Sequence, residues 1–202
     1  MIIAVPESYR DYLHNRVVRS VVDHVLPQKE NRLPVDLEWP DIRAYHEAGL
    51  AARKVKVDYG LFVMELWDAV WKPVLEKYDI NDELAWPLIE MDESERPSLD
   101  NFWDNGLFVK NFTLRRGGGQ VHLYPQSCVA EREVSILISA QTGGWESLSA
   151  ELNLNELWAE EADEFGNRQT VSGLVEIAAD SRHLDVSALV DLADEALSKL
   201  LP

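Results

Sequence analysis

Residues 107–140 read LFVKNFTLRRGGGQVHLYPQSCVAEREVSILISA, and the alternation inside this stretch sets the class of the fold. Leu107–Arg115 and Gln120–Tyr124 read as two strands. The Arg116-Gly117-Gly118-Gly119 segment between them is a hairpin signal, because glycine supplies the backbone conformations that a tight turn demands. Glu133–Ala140 alternates cleanly and places Val134, Ile136, Ile138 and Ala140 on one face. Thr170–Ile177 repeats the pattern through Val171, Val175 and Ile177.

Upstream the period lengthens from two residues to the helical 3.6. Residues 7–26 predict one helix, with Tyr9, Tyr12, Leu13, Val17, Val18, Val21 and Val22 on its apolar side. Pro6 suits its first position and Pro27 its end. A second helix starts near Pro40 and carries Ile42, Tyr45 and Leu50, weakened by Gly49. A third covers 58–78 with Val63, Leu66, Trp67, Val70, Trp71 and Val74. Pro73 removes a backbone donor there, which predicts a kink or break. Trp67 and Trp71, four residues apart, read as core of the helical half. Residues 79–105 read as irregular, with one short helix near Glu83–Met91.

Downstream, Asn153 and Glu156 form a reciprocal cap for a helix carrying Leu154, Leu157 and Trp158, ended by Gly166. A last helix, about 185–201, is capped by Asp185. Strands that cluster, rather than alternate with helices, indicate α+β. The expected architecture is a helical N-terminal half followed by an antiparallel sheet of about four strands, with two helices in the C-terminal half. It reads as a single domain over 1–202. A subdivision into 1–100, mainly helical, and 101–202, sheet plus helices, is the alternative.

The single cysteine, Cys128, excludes an internal disulfide and a multi-thiolate zinc site, which fits a reducing compartment. Met1–Pro6 lacks the basic start and long apolar run of a secretion signal. No apolar run reaches the ~20 residues of a membrane span. These features predict a cytoplasmic protein that does not enter membranes.

Acids number 36 and bases 19, for a formal charge of −17. The imbalance is local. Residues 58–105 hold thirteen acids and three bases, and residues 133–202 hold fourteen acids and three bases. By contrast, 1–57 and 106–132 carry +1 and +3. Such a chain repels nucleic acid and anionic lipid and attracts basic protein. The densest runs are Glu90, Asp92, Glu93 and Glu95, then Glu156, Glu160, Glu161, Asp163 and Glu164. On the expected helix, Glu156, Glu160 and Glu164 form a row with ~6 Å between carboxylates. Asp191 and Glu195 repeat that spacing on the last helix. Glu156, Glu160, Glu161 and Glu164, then Glu90, Asp92, Glu93 and Glu95, are the candidate binding residues for a basic partner protein, as in an inhibitor, immunity protein, nucleic-acid mimic or adaptor. A solvated, solubilising face is the plainer reading.

Catalytic patterns are sparse. No His-Glu-x-x-His, phosphate loop, dinucleotide fingerprint or nucleophile elbow is present. Neither a resident metal nor a cofactor is expected. The remaining enzyme reading is a scattered site of Glu131, Glu133, His122 and Arg115, from the hairpin and the following strand, suited to metal-dependent hydrolysis. A structural or assembly subunit built on the aromatic residues is the third reading.

Overall fold

The structure is a computed structural model that describes residues 1–20, 22, 39–81, 106–116, 119–142, 159–163, 166–178 and 181–200. Its centre is β4, Gly119–Ala130, the longest strand. β5, Glu133–Thr142, returns beside β4 through a two-residue turn. β7, Gly166–Glu176, follows, and β6, Ala159–Asp163, forms the far edge. On the other side of β4 lie β2, Leu107–Val109, and β3, Phe112–Arg116. All neighbours are antiparallel. β1, Ile2–Ala4, pairs with β8, His183–Asp185, as a separate two-stranded sheet. The chain is therefore α+β, as its strand clustering predicts.

One helix organises this sheet. α3 runs from Trp39 to Lys77, about 58 Å at 1.5 Å per residue. Its residues 59, 63, 67 and 71 stand one above another and run along β4. The buried Tyr59 hydroxyl donates to the Val129 carbonyl. The Ser127 hydroxyl donates to the Val63 carbonyl at 2.9 Å. The indole N–H groups of Trp67 and Trp71 donate to the carbonyls of Pro125 and Gln126, each at 2.9 Å. Between these polar pins lies the core. Phe62, Val63, Leu66, Val70 and Trp71 face Leu123, Val129, Val134, Ile136, Ile138 and Ala140, all buried. The terminal helix α4, Ser187–Leu200, packs beside α3 through Leu189, Ala193, Leu197 and Leu200. A Cβ on Gly173 of β7 would meet the Leu192 side chain at 2.3 Å, so α4 rests closely on that strand.

The expected strand Leu107–Arg115 is interrupted at Lys110–Asn111. β2 and β3 nonetheless keep one register against β4, with Val109 opposite Gln126 and Phe112 opposite Leu123. The missing rung falls at Pro125, which has no N–H to give Lys110. Only the reverse bond survives, Lys110 N–H to Pro125 O at 3.4 Å. Phe108 and Phe112 bracket the Trp67 ring at 5.9 and 6.2 Å, and the Lys110 ammonium lies 4.7 Å over it. β4 itself extends beyond Gln120–Tyr124 and contains Pro125 and Cys128, which the sequence reading places after it.

Several helices also differ from expectation. The helix over 7–26 is α1, Glu7–His14, then α2, Arg16–Ser20. Asn15 divides them: it is extended (φ −101, ψ 106), and its side-chain oxygen accepts the Val18 N–H at 3.3 Å, capping α2. Pro6 stands just before α1 as its N-cap. The second and third helices are one, because α3 continues through Gly49 and Pro73. It closes with Asp79 left-handed (φ 55), Ile80 N–H on the Leu75 carbonyl and Asp79 N–H on the Glu76 carbonyl, a Schellman ending. Residues 159–163 form β6 rather than the expected helix. Residues 153–158 and the helix near Glu83–Met91 lie outside the described residues. Asp185 caps α4 from the end of β8, accepting the Ser187 N–H at 3.0 Å. The Ser187 bonds hold its carboxyl below the usual range. Among the described residues no helix is long and apolar enough to cross a membrane.

Two glycines give opposite predictions. Nothing lies within 4 Å of a Cβ on Gly49, so Gly49→Ala is expected to stabilise by about 0.5–1 kcal/mol in urea unfolding. Gly106 has φ +61, and its Cβ would meet the Tyr59 hydroxyl and the Val129 carbonyl at 2.9 Å. Gly106→Ala is expected to cost about 1–3 kcal/mol or more in the same assay. Equal unfolding midpoints for the two variants would contradict both placements.

Candidate functional site

The scattered carboxylate–histidine site does not assemble. Glu131 and Glu133 sit at the turn that joins β4 to β5. His122 and Arg115 lie towards the other end of β4, His122 opposite Gln141 and Arg115 opposite Gln120. Eight residues separate His122 from Ala130, roughly 26 Å of extended chain. His122 Nδ1 lies 3.5 Å from the Thr113 hydroxyl.

Glu131 is occupied by structure. Among the two turn residues it alone has positive φ, 50°, at the position of a type II′ turn where glycine is favoured. The Tyr9 hydroxyl donates to its carbonyl at 2.6 Å, and Arg19 Nη2 donates to its carboxylate at 2.7 Å. α1 and α2 thereby clamp the hairpin tip. Tyr9 in turn stacks near Tyr12, Tyr59 and Phe62, with ring centroids 5.9, 5.1 and 6.1 Å away. Burial pushes the Tyr9 and Tyr59 phenols well above their usual pKa.

Glu133 acquires a partner that spacing does not reveal. It lies directly opposite Glu176 of β7. The Ile177 N–H donates to the Arg132 carbonyl at 2.6 Å, so residues 132 and 177 form a hydrogen-bonded pair. Residues 133 and 176 are then the closer, non-hydrogen-bonded kind, with Cα atoms about 4.5 Å apart. Both side chains are exposed, and neither forms an ion pair among the described residues. This is a two-carboxylate corner. It has no third ligand: among the described residues no group of three or more His, Cys, Asp or Glu could hold a metal. Cys128, half-buried within β4, has its thiol pushed up by burial, which disfavours the nucleophilic thiolate.

The acidic candidates divide. Glu90, Asp92, Glu93, Glu95, Glu156 and Glu164 lie outside the described residues. Glu160 and Glu161 belong to the edge strand β6, in register with Gln169 and Arg168. The helical carboxylate row is therefore not formed, because Glu160, its middle member, lies in a strand and not on a helix. On the helix layer, Asp191 and Glu195 of α4 are exposed and form no ion pair among the described residues, as do Glu65, Asp68 and Glu76 of α3. Asp194 differs. The Lys77 ammonium reaches both its oxygens, at 2.6 and 2.8 Å, which ties α4 to α3 and holds the Asp194 carboxyl below its usual range.

Comparison of the chain with known protein families, with curated proteins and with solved structures finds no match in any of the three.

Like charges directly across two strands are unfavourable. Glu176→Lys is expected to raise stability by about 0.2–1 kcal/mol, read as a higher urea midpoint. An unchanged or lower midpoint would mean the two carboxylates do not repel. The tyrosines give a pH prediction. Below a pH of about 10 the phenols are protonated folded or unfolded, so their contribution is complete. Above it the unfolded chain releases protons that Tyr9 and Tyr59 retain when folded, so stability falls as pH rises. Tyr9→Phe with Tyr59→Phe should flatten that fall in an alkaline denaturation series.

Proposed function

We propose that this chain is a cytoplasmic binding protein whose acidic surface engages a basic partner protein. Inhibition, immunity, nucleic-acid mimicry and adaptor roles all belong to that class. One observation carries the reading. The solvent side of α4 presents Asp191 and Glu195 one turn apart, with no cation paired to either among the described residues. Like charges four apart cost a helix a few tenths of a kcal/mol. A basic partner offsets that cost when it docks. The Glu133–Glu176 corner supplies the same unneutralised charge on the sheet.

Solubility alone requires net charge but no particular placement, and this separates the plain reading from the functional one. Two variants of identical net charge compare them: Asp191→Lys with Glu195→Lys, and Glu7→Lys with Asp11→Lys. A pull-down from host lysate at low salt, eluted by a salt gradient, identifies the partner. Association with it is then timed for each variant. The α4 variant is expected to slow association by about tenfold or more at low salt, with the difference shrinking as salt rises. Equal slowing by both variants would reduce the effect to net charge and defeat the proposed face.

A further inference from the structure

The solvent-facing ridge of α3 carries apolar residues where the rest of the ridge is charged. Leu50, Val57 and Leu61 are 52%, 38% and 51% exposed. Their spacings of seven and four keep them within about 40° of one another around the helix, at 100° per residue. One exposed leucine is ordinary. Val57 and Leu61 stand one turn apart, with Leu50 two turns before Val57 on the same line, a spacing that one helix offers another. The flanking charge is polarised along the ridge. Exposed Arg43, Glu47, Arg53 and Lys54 lie toward the N-terminal end, net positive, and exposed Glu65, Asp68, Lys72 and Glu76 toward the C-terminal end, net negative. Lys54 pairs with Asp58 in its own chain. Arg43, Arg53, Glu65 and Glu76 form no ion pair among the described residues.

We infer that this ridge is a self-association surface, on which α3 of a second copy lies antiparallel about a two-fold axis. A parallel arrangement would set Arg53 beside Arg53 and Glu65 beside Glu65. The antiparallel one sets opposite signs together. With Val57 against Leu61 of the second copy, Arg53 comes level with Glu65 of that copy. Arg43 then falls within one residue of level with its Glu76. The two-fold axis repeats each contact, as closed pairs require. The net charge of −17 opposes the approach of two copies. The pair therefore forms at moderate salt, where screening beyond ~8 Å leaves the close contacts of the ridge in control. The ridge uses neither Asp191 nor Glu195, so variants at those two residues test partner binding and variants on the ridge test self-association.

Sedimentation equilibrium of the full chain at about 0.15 M salt, over a wide range of concentration, tests this. The expected result is reversible doubling of the chain mass. Leu61→Glu, at an exposed position, should keep the circular dichroism and urea midpoint while remaining at single mass. Arg53→Glu should weaken association by about tenfold or more, and Arg53→Glu combined with Glu65→Arg should restore it. A wild-type chain of single mass throughout would overturn the inference. So would a dimer indifferent to Leu61→Glu, or a double variant no stronger than Arg53→Glu alone.

Discussion

Four residues of α-helix rise about 6 Å and two residues of β-strand about 6.6 Å, so a ridge of every fourth helical residue can keep step with every second residue of a strand. α3 uses that match along β4. Tyr59, Val63 and Trp67 step along the helix as Val129, Ser127 and Pro125 step back along the strand, and each step is closed by a buried hydrogen bond. Buried polar groups are costly when unpaired, so these bonds act on register as much as on stability. A one-residue slip of β4 would turn Ser127, Leu123 and Val129 to the opposite face and break the Ser127 bond to Val63. The helix thereby specifies which face of the sheet is core, and β5 and β7 inherit that choice through their pairing.

The departures from regularity sit where this constraint meets local chemistry. Pro125 lies on the central strand, yet its missing N–H faces the short edge strands. The loss is therefore a gap between β2 and β3 and not a break in the middle of the sheet. Lys110 and two phenylalanines close over Trp67 at that gap. Gly106 begins the same edge in a left-handed conformation, and any side chain there would enter the space of the Tyr59 bond to Val129. Near it, at the tip of the β4–β5 hairpin, Glu131 holds a glycine-like conformation. Tyr9 and Arg19 hold it there from α1 and α2.

The fold assigns the acids different tasks. Asp58, Asp185 and Asp194 accept hydrogen bonds that fasten helices and caps, and all three carboxyls lie below their usual range. Burial pushes Asp58 upward, but the bonds from Lys54 and Ser8 prevail. Asp191, Glu195, Glu133 and Glu176 fasten nothing among the described residues. This division was hidden from the sequence, in which Asp191, Asp194 and Glu195 look alike. Only the arrival of Lys77 from α3 distinguishes Asp194.

The sequence by itself determined the α+β class, the Gly-rich hairpin, the strand patterns at 133–140 and 170–177, the core role of Trp67 and Trp71, and the terminal helix with its Asp185 cap. These depend on periodicity and on turn or cap chemistry, which act over a few residues. It misled where a local signal had a competitor out of reach. Gly49 and Pro73 are helix breakers by propensity, yet α3 runs through both; around Pro73 the buried face from Ala52 to Leu75 outweighs it. Glu156, Glu160 and Glu164 have helical spacing, yet pairing with β7 draws residues 159–163 into a strand. Only the tertiary structure decided that Glu133 faces Glu176, that His122 and Arg115 lie far from Glu131, and that one helix ridge reads the backbone of one strand. Those relations join residues distant in the chain, and pairing across a sheet leaves no trace in local spacing.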